Sequence, residues 1–355
     1  MLDELEKFLI LNKHLLDIIY NNIYGSNDNV IEYKIKKHNT KYYLIRTKIL
    51  KDITDNCIYF EELSVLIEHI LHLPKPSLNY ISISFCMDNI YILNTYVAII
   101  SILSNKNDNT FISFYLITSK DFEKDNKDII LSLYEQYEFF NISFIKMDNR
   151  FDNVKTFRYI TKTAYFKLTL AELLPQLNKI IYLDSDIIVY KDLYNLFNLN
   201  FNNNLFLASG IYGVYKYKNK SLSFNTGVLL LNLKRMREFN FTKKIENILS
   251  NGFKDTKYFL HDQAIINQFF FDYIGYLEPG FNSRNSLLKY NSEYYIGKKD
   301  YKSYFNLIHS EKHPYIYHFT GDNKPIRHKR KNSDDWWYYA RKGKYWPKIL
   351  KNIKY

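Results

Sequence analysis

An α/β architecture on a mainly parallel sheet is the fold class this 355-residue sequence predicts, and three features predict it. Strand-like and helix-like patterns alternate from Tyr80 onward, the strand-like pieces are apolar as buried strands are, and acidic residues stand at the ends of two of them. An apolar fraction of 46% against 24% charged residues is ordinary for a soluble globular chain of a size that builds a substantial core.

The elements follow in order. Leu2 to Tyr24 carries helical apolar spacing, Val30 to Lys48 alternates around His38-Asn39-Thr40 as a hairpin would, and Glu61 to Leu73 is helical again before Pro74 and Pro76. Residues 1–75 therefore form an N-terminal helical and hairpin extension with no motif of chemical meaning. Tyr80 to Cys86 is then a strand, Asn89 to Leu103 a helix, Phe111 to Ile117 a strand, Lys127 to Tyr137 a helix and Ile142 to Ile145 a strand. Thr163 to Leu174 continues as a helix and Lys179 to Leu183 as a buried strand. Leu205 to Ala208 and Gly227 to Leu231 are short apolar strands, with a helix near Gln263 to Phe271. In open sheets of this kind ligands gather at the carboxyl ends of the strands, where Asp88 and the pair Asp184 and Asp186 lie. Residues 76–330 make up this main domain, and 331–355 a tail.

Composition narrows the setting. Cys57 and Cys86 are too few for a disulfide framework, so a reducing compartment is expected. Met1 to Phe8 lacks the basic start and apolar core of a signal peptide, and the uncharged stretch Ile90 to Asn105 is too short and polar for a span. A cytoplasmic location is the expectation. Of a net charge of +12, the segment from Lys324 to Tyr355 carries most: eleven basic residues against two aspartates leave +9, with Trp336, Trp337, Tyr338, Tyr339, Tyr345 and Trp346 interleaved. That tail suits peripheral contact with an anionic membrane, with nucleic acid the less favoured partner, and the plain alternative is a solvated basic helix.

The chemistry concentrates in two places. In Ile180-Ile181-Tyr182-Leu183-Asp184-Ser185-Asp186-Ile187-Ile188-Val189, two acids one residue apart share a side of an extended chain and can face one cation. Hard ions such as Mg²⁺ or Mn²⁺ take oxygen ligands and complete their shell with phosphates. The alternative is an aspartate capping a turn at the strand end. In His318-Phe319-Thr320-Gly321-Asp322-Asn323-Lys324-Pro325, one loop offers an imidazole for a cation, a glycine that lets backbone approach phosphate, and a lysine as a point charge.

With these stand Phe85-Cys86-Met87-Asp88 and Tyr91, Tyr165-Phe166-Lys167-Leu168, Phe224-Asn225-Thr226-Gly227-Val228 and His261-Asp262-Gln263. In this order, across residues 80 to 326, the motifs resemble those of the family 8 glycosyltransferases, retaining enzymes of the bacterial lipopolysaccharide galactosyltransferase or glucosyltransferase and glycogenin kind. The resemblance implies the GT-A nucleotide-sugar-binding fold, a UDP-glucose or UDP-galactose donor and a bound Mn²⁺ or Mg²⁺. It implies Asp184, Asp186 and His318 as metal ligands, Cys86 and Asp88 with Tyr91 in the nucleotide pocket, and Ser185 and Lys167 among the donor-binding residues. Gly321 and Lys324 would hold the diphosphate, Asn225 and Asp262 the donor sugar, and Gln263 would lie beside the anomeric carbon. Asp88 and Asp262 each precede a helical stretch, so helix capping is their bland role, and a turn before Gly227 is that of Asn225.

Three positions depart from the family pattern. Lys167 stands for a usual Arg, Gly210-Ile211-Tyr212 follow Ala208-Ser209 where an acid is common, and Ile326 replaces a Trp. They leave the metal ligands alone and bear on the sugar. Glutamine is a poor nucleophile, so the expected course is same-face attack by an acceptor hydroxyl, with Lys324 stabilising the departing diphosphate. The acceptor is a glycan, a lipid-linked saccharide or a protein. The competing functions are a metal-dependent phosphoryl or nucleotidyl transferase and a non-catalytic basic adaptor, although no P-loop is present.

Overall fold

A computed structural model describes the strands within residues 30–60 as backbone, and residues 79–351 apart from 138, 155, 157–160, 218–219, 254–260, 322–323 and 327–331. Side chains of 213–221 and 285–290 also lie outside the description. The chain divides into two compact units, Met1–Leu78 and Asn79–Tyr355.

In the first unit β1 (Val30–His38) and β2 (Lys41–Lys48) pair antiparallel with His38 opposite Lys41, which is the expected hairpin. A third strand that the sequence pattern does not announce, β3 (Cys57–Phe60), pairs with β2. The helices expected over Leu2 to Tyr24 and Glu61 to Leu73 fall outside the described residues.

The second unit is built on a seven-stranded sheet. It uses β4 (Asn79–Met87), β5 (Thr110–Thr118), β6 (Phe140–Lys146), β7 (Ile180–Leu183), β9 (Phe206–Tyr217), β10 (Lys220–Leu231) and β11 (Ile274–Tyr276), while β8 (Ile187–Val189) lies outside it. The spatial order is β11-β9-β10-β7-β4-β5-β6, and β10 alone runs against the others. Successive residues of a strand face opposite sides, and each side has its own core. Ile81, Ile83 and Phe85 of β4, Ile112, Phe114 and Leu116 of β5, and Ile181 and Leu183 of β7 bury one face against helix α1 (Ile92–Asn105). Cys86, Tyr115, Ile117, Ile180 and Tyr182 bury the other. Strands buried on both faces explain the near-continuous apolar runs.

Several elements differ from the expectations. Helix α1 starts at Ile92 rather than Asn89, because the Asp88 carboxylate accepts the Ile90 and Tyr91 N–H groups and holds a turn there. The helix expected from Lys127 begins earlier, as α2 (Lys124–Leu131), and ends in a 3₁₀ turn over Ser132–Glu135. Thr163 to Leu174 is mostly a 3₁₀ helix, Lys162–Thr169, followed by one α turn. The two short strands of the second half are parts of twelve-residue strands. Beyond them α3 (Leu233–Glu238) and α4 (Phe241–Ser250) precede α5 (Asp262–Phe269), and α6 (Asn285–Gly297) and α7 (Tyr301–Lys312) lead into β12 (Ile316–His318).

Most of the described C-terminal aromatics pack on the core, while Tyr338 stays exposed. In α8 (Ser333–Lys342) Trp336 is 0% exposed, and together with Tyr339, Ala340 and Ile349 of α9 (Trp346–Lys351) it joins the core around α1. Asn105 at the end of α1 donates to the Tyr339 hydroxyl at 2.6 Å, and the Tyr190 hydroxyl donates to Asp335 at 2.7 Å. Truncating a buried tryptophan removes its transfer energy and leaves a cavity, so Trp336→Ala is expected to cost about 3–5 kcal/mol in a denaturant melt. A change under about 1 kcal/mol would show that the segment does not pack as described. Among the described residues no helix is long and apolar enough to cross a membrane.

Candidate active site

Strand β7, central in the sheet, delivers Asp184 just past its carboxyl end, where the Asp184 N–H donates to Gly227 O of β10 at 2.7 Å. The chain then bends through Asp184-Ser185-Asp186 instead of staying extended. Convergence of the two carboxylates therefore owes less to strand periodicity than to β8, which pairs antiparallel with β12 and sets His318 opposite Ile187. Phe319 N–H donates to Asp186 O at 2.9 Å and closes that junction.

Ligand atoms of Asp184, Asp186 and His318 all lie within 4.8 Å of one another. His318 Nε2 is 3.6 Å from Asp184 Oδ2 and 3.4 Å from Asp186 Oδ1. Nδ1 is 3.0 Å from Asn282 Oδ1, an atom that can only accept, so the ring proton sits on Nδ1 and the Nε2 lone pair faces the acids. Two carboxylates with an oriented neutral imidazole form a donor set that fits a Mn²⁺-type ion. Gly227 keeps the space open: a Cβ there would fall on His318 Cε1 and 2.5 Å from Asp184 Oδ2.

Two lysines balance the acids. Lys324 pairs with Asp186 Oδ2 and donates to Phe319 O at 3.0 Å. Burial pushes the Asp186 carboxyl up, but the Lys324 charge outweighs it and holds the group well below the usual carboxylate range. Lys167, 3% exposed, places Nζ 2.9 Å from Asp262 Oδ2, 3.3 Å from Asp184 Oδ1 and 3.0 Å from Thr226 O, over the Tyr182 ring. Burial pulls its ammonium down, while Asp184 and Asp262 more than restore it. The Tyr182 hydroxyl donates to Asp184 Oδ1 at 2.7 Å.

Pairing of β10 with β9 shifts register between Phe224 and Leu229, which turns Asn225 and Thr226 out of the regular ladder. Asn267 of α5 stands in for a missing strand partner: its side chain accepts from Phe224 N–H at 2.7 Å and donates to Phe224 O at 2.8 Å. Asn225 Nδ2 then donates to Gln263 Oε1 at 3.0 Å, and the Thr226 hydroxyl to Asp262 Oδ2 at 2.9 Å.

The sequence profile of glycosyl transferase family 8 matches residues 82–328, the greater part of the chain. The chain belongs to glycosyl transferase family 8. General stress protein A of Bacillus subtilis is 24% identical over 268 residues, covering 72% of this chain and 91% of that protein. A putative glycosyltransferase of Haemophilus influenzae is 30% identical over 198 residues, covering 52% of this chain and 58% of that one. Among solved structures, the galactosyltransferase LgtC in complex with donor and acceptor sugar analogs superposes with a TM-score of 0.61 at 22% identity, covering 76% of this chain and 100% of its own. The fold is therefore GT-A and the activity class glycosyl transfer.

Around this family 8 centre the other expected residues fall into two groups. Lys324, Lys167 and, through Lys167, Asp262 are linked to the acidic pair by the contacts above, while Asn225 and Gln263 bond to each other. Asp262 is the first residue within α5 rather than its cap, and its carboxylate serves Thr226 and Lys167. Ser185 accepts from the Thr95 hydroxyl of α1 at 2.8 Å. Asp88 lines a cavity of about 350 Å³ with Lys120, Asp148, Phe151, Lys162 and Phe166, and Tyr91 follows it as the residue before α1. Gly321 has φ +88°, a backbone that suits glycine. Cys86 is buried, and burial pushes its thiol up, so the neutral form persists at pH 8. Mass spectrometry is expected to find Cys86 unmodified by iodoacetamide in the native protein and modified in denaturant; native labelling would place it on an open surface.

Sequence reasoning assigns no role to Tyr182, Thr226 or Gly227, although all three stand inside the motifs. Asn282 was beyond its reach. Only the Pro279-Gly280 turn signal lies near it, and nothing local says that this turn ends beside His318.

Proposed function

We propose that the protein transfers glucose or galactose from the UDP-sugar to an acceptor hydroxyl with retention of configuration, in a reaction that requires Mn²⁺ or Mg²⁺. The observation that carries this reading is the convergence of Asp184, Asp186 and the Nε2 face of His318. A cation bound there supplies charge stabilisation for a diphosphate leaving group. Lys324 adds a second positive charge on the same side, next to Gly321, whose backbone suits a phosphate-binding loop. Cys86, Asp88 and Tyr91 would bound the uridine end, with Ser185 and Lys167 at the donor side. Asn225 and Asp262 would meet sugar hydroxyls. Gln263 Oε1 is already taken by Asn225 and by Thr226 N–H at 3.4 Å, which supports an amide that donates to substrate over one that attacks carbon.

The acceptor class is a glycan, a lipid-linked saccharide or a protein. A cytoplasmic enzyme is our reading, with the exposed Arg341 and Lys342 side chains suited to an anionic membrane surface. The test is a donor panel of UDP-glucose and UDP-galactose with Mn²⁺, Mg²⁺ or EDTA, reading UDP release and the anomer of the product. Chelator-sensitive release with a retained linkage is expected. An inverted linkage, or turnover untouched by EDTA, would overturn the proposal.

A further inference from the structure

We infer that Asn282 is a positioning residue that ties the imidazole of His318 to the donor-side amides Asn225 and Gln263 through a one-way chain of side-chain hydrogen bonds. The inference rests on the proposed role of His318 as a cation ligand. Asn282 is 0% exposed and uses both ends of its amide. Its Oδ1 is 3.0 Å from His318 Nδ1, its Nδ2 donates to Asn225 Oδ1 at 2.8 Å, and Asn225 Nδ2 donates on to Gln263 Oε1 at 3.0 Å.

The polarity of the chain is set by backbone. An amide oxygen only accepts and an amide nitrogen only donates. Gly227 N–H points at Asn225 Oδ1 at 3.1 Å, and Thr226 N–H at Gln263 Oε1 at 3.4 Å. These two fixed donors prevent either amide from turning over, since the reversed group would set N–H against N–H. Asn225 Oδ1 must then receive Asn282 Nδ2, and Asn282 Oδ1 is left to accept from the imidazole. The proton is thereby kept on Nδ1 and the lone pair on Nε2, the atom that faces Asp184 and Asp186.

The backbone also keeps Asn282 in place. Ser283 runs parallel to β12 opposite Tyr317, with Ser283 N–H donating to Ile316 O at 2.9 Å and His318 N–H to Ser283 O at 2.8 Å. One step earlier Tyr315 N–H donates to Gly280 O at 2.8 Å. Asn282 and His318 are therefore locked in register by three main-chain bonds, and the orientation costs little side-chain entropy at the moment a ligand binds.

Two variants separate the halves of the link. Asn282→Asp keeps an acceptor for Nδ1–H but removes the donor to Asn225, whereas Asn282→Leu removes both at similar volume. Mn²⁺ affinity, followed by electron paramagnetic resonance, is expected to fall about 10–100-fold in Asn282→Leu and to stay near wild type in Asn282→Asp. Asn282→Asp is instead expected to lose kcat at least about tenfold, because a carboxylate oxygen faces Asn225 Oδ1. ¹⁵N spectra of the metal-free wild type, recorded at a pH where the imidazole is neutral, are expected to show His318 as the Nδ1–H tautomer, a signature that does not depend on either variant folding. Wild-type affinity in a folded Asn282→Leu, or an Nε2–H tautomer in the wild type, would overturn the inference. If the wild-type protein binds no Mn²⁺, the functional proposal fails, and the tautomer still decides the positioning role.

Discussion

Replacing Asp186 by asparagine is expected to lower glycosyl transfer by at least about 10²–10³-fold while the protein still folds. The carboxamide matches the carboxylate in shape and retains an oxygen for the Lys324 ammonium, so the buried lysine is not stranded. What disappears is the negative charge that Lys324 holds in its ionised form. A neutral oxygen is a poor ligand for a hard divalent ion, and the cluster drops from two carboxylates to one. Asp186→Ala should be worse for stability, because it leaves the Lys324 charge buried without this partner; breaking such a pair costs about 3–5 kcal/mol. Initial rates at saturating donor and metal, beside thermal melts of both variants, check the pair of expectations. An Asp186→Asn enzyme within tenfold of wild type would remove Asp186 from the catalytic centre.

Gly227→Ala is the second change with a large expected effect, and it adds only a methyl group. That methyl would fall on His318 Cε1, 2.5 Å from Asp184 Oδ2 and 2.9 Å from His318 Nδ1. Neither neighbour is a loose surface chain. His318 is held by Asn282 and by its strand, and Asp184 by the Tyr182 hydroxyl and Lys167. Relief must come from moving the imidazole or the carboxylate away from the proposed ion position. The strand itself can carry alanine, since Gly227 is not among the positive-φ residues. We expect Mn²⁺ affinity and kcat/KM each to fall more than about 100-fold, with the helical and sheet content unchanged by circular dichroism. Normal metal binding in Gly227→Ala would mean that the gap beside Gly227 is not the ion position.

Much of the sheet was legible because buried parallel strands write themselves as apolar runs. Tyr80 to Cys86, Phe111 to Ile117 and Lys179 to Leu183 were each found within one residue or two of the observed strands. The hairpin of β9 and β10 was read only at its buried ends, since its outer half carries Tyr, Lys, Ser and Asn without a clear alternation. Helix α7 went unread although Tyr301, Tyr304, Phe305 and Ile308 recur at helical spacing, and burial does not follow that stripe: Tyr301 and Phe305 are exposed while Leu307 is buried. In the tail, composition showed charge and aromatic rings, but whether Trp336 faces water or α1 is decided by tertiary packing.

The site divides in the same way. Asp184 and Asp186 stood out because two acids amid apolar runs need a partner. His318 gained its place from the motif resemblance, and the physical link, the pairing of β8 with β12, has no local signature. Asn282 and Gly227 were invisible for the same reason: each matters through what lies across the fold from it.

The central claim is that one divalent ion sits among Asp184, Asp186 and His318. Anomalous scattering at the manganese edge, from crystals grown with Mn²⁺ and UDP, tests it most directly. The account predicts a single strong peak within about 2.0–2.3 Å of a carboxylate oxygen from each aspartate and of His318 Nε2. A bound nucleotide whose manganese peak lies elsewhere, or no peak between these three side chains, would contradict it.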